Sequence, residues 1–458
     1  MNSEDNWHPH ANFPEERVIQ FPTHTALRAW LILSLGLVLA AACGPIQPGA
    51  QAPAASEATT VTLLVSGGPA EQAAYQAVVE RFNSQENGIQ VELSAVPSTG
   101  DFLTRLTTDF AAGTPPDLFL LNYRRMTQYY NPGAIEPLGP YMAGGALKEE
   151  EFFPAALDGF RDSQGTLVCL PQNVSSQVVY YNKDLFDTAG APYPAADWTW
   201  EEFRQTAIAL TLPDANGDSY PDQYGLGLEP VLIRTAPWIW QNGGELVDNP
   251  ASPTALALNQ PASREAIQFV LDLAQKDGVV PNYNAEAVAS HPDRFLAGNI
   301  AMYVDSRVFT PSLRETVTFN WDVAPLPVGK QRANVLHSDG YCMAAASQVK
   351  EAAWRFVEYA LGEEGQVITA KLGRTVPSLR KVAVSEAFLD PTQAPANAQV
   401  WLDNLEENMR ILPKTENWNA IERTAATELE QAYLGLQTLD ALLANIEATA
   451  AEGFVPIK

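Results

Sequence analysis

The chain has 458 residues, 46% of them hydrophobic and ten of them tryptophan, which makes it too long for one compact core and too apolar for global disorder. Acidic residues outnumber basic ones 54 to 28, a net charge of −26, and such a surface repels phosphate backbones, so nucleic acid is excluded as a partner. Acidity favours solubility and names no ligand.

After Arg28, the apolar run Ala29–Ala42 (AWLILSLGLVLAAA) falls short of the ~20 residues that a bilayer-spanning helix needs. Its length and the small residues before Cys43-Gly44 suit the core and cleavage site of a signal peptide, so residues 1–42 are read as a signal segment. The cysteine at the cut resembles a bacterial lipoprotein box, with Ala40 where leucine is usual; this implies lipidation at Cys43 and a membrane anchor. Residues 43–60, rich in Pro, Ala and Gln, read as a tether with a coil size of about 22 Å and an extension of roughly 55 Å. Cleavage leaves Cys169 and Cys342, with no CxxC or Cys/His spacing for zinc. They either pair across the fold or sit as small buried hydrophobes.

From Val61 strand and helix alternate. Val61–Val65 and Ile89–Leu93 are apolar strands, and Leu118–Leu121 is a buried one. Ala70–Asn83 carries Tyr75, Val78, Val79 and Phe82 at helical spacing, and Phe102–Ala111 is the next helix. This order predicts an α/β fold with a parallel sheet covered by helices. In open sheets of that kind ligands bind at the carboxyl ends of the strands, which makes the loops Ser66–Pro69, Pro97–Gly100 and Asn122–Arg125 the expected rim of a site. Further on, Glu201–Leu210, Arg264–Gln275, Glu351–Leu361 and Asn419–Leu434 show apolar residues at i, i+3 and i+4.

Several blocks then occur in a recognisable order: VVERFNSQENGIQVEL, AAGTPPDLFLL, GTLVCLPQNVSSQVVYYNKDLFDTAG, WIWQNGGELVD, FLAGNIAMYVDSR, WDVAPLPVG, GRTVPSLRKV and NWNAIERTA. In that order the chain resembles the family 1 extracellular solute-binding proteins of ABC importers, the maltose-binding type. The resemblance implies a monomeric, two-lobed clamp of periplasmic-binding-protein type II, each lobe a sheet flanked by helices, which closes on a small solute, foremost a sugar. The three crossings between lobes are expected near Leu170–Val174, Tyr303–Arg307 and Ser338–Tyr341. Lobe I then combines 61–170 with 304–337, and lobe II combines 171–303 with 338–458.

A sugar offers an apolar ring face and a hydroxyl edge, so its site needs aromatic plates and planar polar groups. The resemblance places Trp238, Trp240 and Trp418 as candidate plates from lobe II, against a competing role in the core. Polar candidates are Asn122, Tyr123 and Arg124 after the third strand, with Asn173 and Ser175 at the first crossing. Asp305, Arg307, Tyr341 and Arg374 complete the set, with a structural Asp305–Arg307 ion pair as the alternative reading of that pair. No cofactor is required. The segment DANGDSYPDQYG places Asp214, Asn216, Asp218 and Asp222, with the Tyr220 carbonyl, at positions 1, 3, 5, 9 and 7 of an EF-hand-like loop. That spacing suits a structural Ca²⁺, but Gly225 stands where a bidentate Glu belongs, and a plain Asn-Gly-Asp turn is the competing reading.

A secreted carbohydrate hydrolase is the competing class. After signal removal only His291 and His337 remain among the histidines, and no HExxH, GxSxG or phosphate-binding glycine loop occurs. A glycosidase needs only two carboxylates, so residue counts leave that class open and the ordered blocks disfavour it. Within binding proteins, a polyol, a sugar phosphate or a polyamine is the alternative solute.

Overall fold

The computed structural model describes residues 58–458, apart from 86, 216, 218, 219, 287 and 452. The signal segment, Cys43 and the tether up to residue 57 lie outside the described residues. No helix among the described residues is long and apolar enough to cross a membrane.

The first element among the described residues is β1 (Thr59–Ser66), which starts inside the stretch read as tether. It is followed by β2 (Ile89–Val96), β3 (Leu118–Asn122), β4 (Ile135–Glu136) and β5 (Leu170–Pro171). β1 lies parallel to both β2 and β3, as strands joined through helices must. The first connecting helix, Pro69–Asn83, buries Tyr75, Val78, Val79 and Phe82 along one stripe. The second, Thr99–Ala112, starts where the Ser98 side chain accepts the Asp101 N–H, and ends at Gly113 in the left-handed region.

The chain then builds a second sheet from β6 (Val178–Asn182), β7 (Tyr224–Gly227), β8 (Ile300–Asp305) and β9 (Trp321–Ala324), in the order β7-β8-β6-β9. β6 and β8 are buried along their whole length. Last come β10 (Asn334–Val335), β11 (Asp339–Ala344) and β12 (Met409–Arg410). β10 pairs with β12, whereas β11 returns to the first sheet, whose order is β2-β1-β3-β11-β4 with β5 also on β11.

The strand pairing redraws the expected lobe boundaries. Residues 304–337 were assigned to lobe I, yet β8 does not cross there. It turns through Arg307–Phe309 and the helix Thr310–Thr316 into β9, which pairs with β6. The second crossing lies instead between β10 and β11, because β11 is antiparallel to β3. Lobe I therefore holds 339–383, including the helices Lys350–Leu361 and Glu363–Lys371, which pack on β1 and the Pro69–Asn83 helix. The third crossing follows Arg380–Ala383, and the helix Gln399–Glu407 is back on lobe II, where Asn397 bonds Val323 and Trp401 packs on Tyr180.

Cys169, immediately before β5, and Cys342 on β11 form a disulfide, settling the alternative left open by the sequence in favour of pairing. A buried disulfide belongs to an oxidising compartment.

Candidate functional site

The carboxyl ends of β1, β2 and β3 open into a cavity of about 270 Å³, bordered by Ser66–Gly68, by Pro97 and Thr99, and by Leu121, Asn122, Arg124 and Arg125. These are the three loops expected from strand order. A second cavity of about 170 Å³ adjoins it at the hinge. Its lining comes from Asn173 and Ser175 at the first crossing, Ser306 and Arg307 after β8, His337 and Ser338 at the second crossing, and Thr375-Val376. Asn122, Val308, Asp339 and Arg374 border both cavities, so the two form one cleft between the lobes.

Lobe I presents a hydrogen-bonded polar floor. Asp339 stands opposite Asn122 in the β3–β11 register, and Asn122 Nδ2 donates to its carboxylate at 3.0 Å. Arg124 Nε donates to Asn122 Oδ1 at 3.0 Å, and Asn173 Oδ1 accepts the Asp339 N–H at 3.2 Å. Arg374 Nε donates to Glu71 Oε1 at 2.5 Å, while its Nη2 lies 3.8 Å from Asp339. Glu71 Oε2 also accepts the Gly68 N–H, so this carboxylate already occupies the positive end of the Pro69–Asn83 helix. Gly67 is required beside it: φ is 148°, and a Cβ would come within 2.5 Å of Glu71 Oε2. Tyr75 and Phe102 are the aromatic residues of this half, and burial raises the pKa of the Tyr75 phenol, whose hydroxyl has no hydrogen-bond partner among the described residues.

Lobe II closes the cleft from the other side. Arg124 Nη1 reaches Glu422 Oε1 on the helix Trp418–Tyr433 at 2.5 Å, and Arg125 Nη2 lies 3.7 Å from the other carboxylate oxygen. That helix packs on Leu232–Gln241 and Pro261–Gln275 of lobe II, so the ion pairs join the two lobes. Arg307 makes no ion pair among the described residues. Its Nε donates to the Gly373 carbonyl at 2.9 Å, and its guanidinium lies 4.9 Å from the Phe388 ring and 4.7 Å from the Trp401 ring. Burial pushes its pKa down to about 9, which leaves it cationic at neutral pH. Asp305 pairs with Arg234, not with Arg307, and burial raises its pKa against that attraction. The alternative Asp305–Arg307 ion pair does not form: β8 ends at Asp305 and the chain turns through Arg307–Phe309, so the two side chains no longer share a strand face.

A match to the bacterial extracellular solute-binding protein family covers residues 66–367. The chain belongs to that family. The solute-binding protein is 27% identical over 326 residues to a mannitol-binding protein of Pseudomonas aeruginosa, which spans 66% of this chain and 69% of the relative. It is 26% identical over 339 residues to an erythritol/L-threitol-binding protein of Mycolicibacterium smegmatis, 67% of each chain. Among solved structures, an ABC substrate-binding protein of Listeria monocytogenes in complex with cycloalternan superposes with a TM-score of 0.78 at 26% identity, over 86% of this chain and 99% of that one. The two-lobed architecture is common to both.

The solute-binding protein brings Asn122, Arg124, Asn173, Ser175, Arg307 and Arg374 to the cleft as the sequence suggested. The other candidates fall elsewhere. Trp238 is buried against Trp200, Phe203 and Phe269 inside lobe II. Trp240 lies under the Arg410 guanidinium, and Trp418 is fully buried at the start of its helix. None of the three lines either cavity, because the volume behind the cleft in lobe II is filled by their own packing. Tyr123 is core as well, its hydroxyl tied to Leu336 and Leu412, and Tyr341 packs edge-on against Phe356. Asp305 also lines neither cavity. The sequence reading missed Glu71, Tyr75, Phe102, His337, Asp339 and Thr375. Tyr75 and Phe102 look like ordinary helix-face hydrophobes, and nothing local shows that they lie under the strand ends.

Of the proposed calcium loop, Asn216 and Asp218 lie outside the described residues. Asp214 accepts the Gly217 N–H and Asp222 accepts the Ala215 N–H, as in a turn. No cluster of three His, Cys, Asp or Glu fit to hold a metal occurs among the described residues.

Proposed function

We propose that this protein captures a small polyhydroxylated solute, a sugar or polyol, and presents the closed form to an ABC importer. The observation that carries the reading is the cleft itself: amides, hydroxyls and guanidinium groups around two aromatic faces, at strand carboxyl ends and spanning a hinge of three crossings. The mannitol- and erythritol-binding relatives and the cycloalternan complex support that ligand class. In this reading the protein works as a monomer held to the membrane through a lipid on Cys43, and it releases its solute chemically unchanged.

Thermal-shift screening of the purified protein against sugars and polyols tests the ligand class, since a ligand bound only to the folded state raises the melting temperature. A shift with any of them, and recovery of the solute unaltered, is the expected result. Turnover of a bound oligosaccharide would transfer the protein to the hydrolases. Cys43→Ser is expected to release the protein from membranes, and its retention there would refute the lipid anchor.

A further inference from the structure

The carboxylates around the cleft are unequally engaged. Glu71 is filled, since Oε1 accepts from Arg374 and Oε2 from the Gly68 N–H. Glu422 is taken up by Arg124 and Arg125. Asp339 differs. Its Oδ1 accepts from Asn122 Nδ2 at 3.0 Å, but Oδ2 has only Asn173 Nδ2 at 3.5 Å and Arg374 Nη2 at 3.8 Å. Asn173 Nδ2 makes its shorter bond to Gln172 Oε1 at 2.9 Å, and Arg374 Nη2 lies closer to Glu71 than to Asp339. A carboxylate offers about four acceptor positions, so Oδ2 has room for a further donor. The Asp339 side chain also stays 27% exposed while the Arg124–Glu422 pair joins the lobes.

The sheet fixes where this acceptor stands. Asp339 is the first residue of β11, opposite Asn122 on β3, and follows directly on the second crossing. It borders both cavities, so a solute that fills them passes over its carboxylate. A free acceptor calls for a donor, which an alcohol hydroxyl supplies and an ionised carboxylate does not. A phosphate would bring a like charge against it, an arrangement that rejects a partner. Arg374 cannot offset that charge alone, because it already stands between Glu71 and Asp339, and Arg124 and Arg125 are paired with Glu422. An ammonium group would find the carboxylate but would also stand beside the Arg374 guanidinium.

We propose that Asp339 anchors and selects the solute: Oδ2 accepts a solute hydroxyl where the two cavities meet, and the solute is an uncharged sugar or polyol. This rests on the polyhydroxylated-solute reading and narrows it. Asn122 keeps Oδ1 in place while Oδ2 exchanges water for the solute, so the acceptor needs no reordering on binding. Hydrogen bonds to an ionised acceptor are among the strong ones, which lets one such contact set the register of the solute in the cleft.

The test is calorimetry on the full-length protein with matched solutes: D-mannitol against mannitol 1-phosphate, and D-glucose against D-glucuronate, D-glucose 6-phosphate and the cationic D-glucosamine. A neutral member is expected to bind tenfold or more tighter than its charged counterparts. Asp339→Asn keeps the shape and an oxygen for Asn122 while removing the charge. It should weaken the neutral solute tenfold or more, the usual scale for a hydrogen bond to a charged group, and narrow the gap between neutral and acid-bearing members. Asp339→Ser carries the same expectation and serves where the new amide disturbs Arg374. A charged member binding as well as its neutral counterpart would overturn the selection and leave the sugar or polyol reading standing. Binding by none of them would overturn both. If the variants bind the neutral solute as the parent does, or weaken neutral and acidic solutes by the same factor, Asp339 only braces the sheet edge and the anchor is refuted.

Discussion

Glu422→Gln is expected to weaken ligand capture by loosening the lobes while the fold persists. Glu422 is 9% exposed and shared by Arg124 and Arg125, whose side chains are each 16% exposed. Opposite charges about 4 Å apart attract by about 4 kcal/mol at the effective dielectric typical of such sites. Two discounts apply. Arg125 Nη1 and Glu422 Oε2 have no hydrogen-bond partner, and dehydrating three charged groups offsets much of the attraction. A net contribution of roughly 1–3 kcal/mol remains, equivalent to about 5- to 150-fold in the balance between joined and separated lobes. Because the arginines stand on lobe I and the carboxylate on lobe II, that loss falls on closure, and separation lets both sides regain water. Apparent affinity falls with the population of the competent form. Small-angle scattering of the ligand-free variant should show a larger radius of gyration, and calorimetry a weaker ligand constant of about tenfold. An unchanged scattering curve together with unchanged affinity would refute the argument. So would a large fall in melting temperature with affinity preserved, which would make the cluster part of the fold instead of a latch.

Two further outcomes follow from buried groups. Trp418→Ala should cost roughly 3–5 kcal/mol of stability by opening a cavity in the core, measured by denaturant unfolding; a loss below about 1 kcal/mol with sharply weaker binding would return Trp418 to the cleft. His337 is held well below its ordinary pKa, first by burial and then by Arg234 and Arg124. Its neutral form is common to folded and unfolded chains above about pH 6.5, so its contribution is complete there. As pH falls below that, the unfolded chain takes up a proton that the folded one refuses, and stability should drop. His337→Asn should flatten that slope in a melting series, and an identical profile for variant and parent would refute the assignment.

Local pattern was enough to find the elements, and it placed the helices Pro69–Asn83, Trp200–Ala209, Pro261–Gln275 and Trp418–Tyr433 to within a few residues. Strand order alone points to three loops of the cleft. What was not legible depends on pairing between distant segments. Asn122 and Asp339 are 217 residues apart and meet only because β11 inserts beside β3. Nothing in DGYCMA says which of two sheets it joins. The tryptophans failed for a different reason. The helix Leu232–Gln241 is buried almost all round, so it has no polar face from which to tell cleft from core. Trp238 and Trp240 are equally apolar in either place.

The two halves of the cleft are prepared differently, and that difference suits a clamp. On lobe I the polar groups are already bonded to one another: Arg124 to Asn122, Asn122 to Asp339, Arg374 to Glu71. A ligand meeting this surface finds donors and acceptors fixed in place, with little ordering left to do. Toward the hinge, Arg307, His337 and Thr375 each hold a buried atom with no partner among the described residues, which costs stability. A solute that bridges from the lobe I surface to Ser306 and Val308 of lobe II makes its full set of contacts only when the lobes are together. Differential interaction with the two arrangements is what allows a ligand to shift their balance at all. Lobe I thus provides the fixed contacts, and the contacts that a solute adds across the hinge are what favour the joined arrangement.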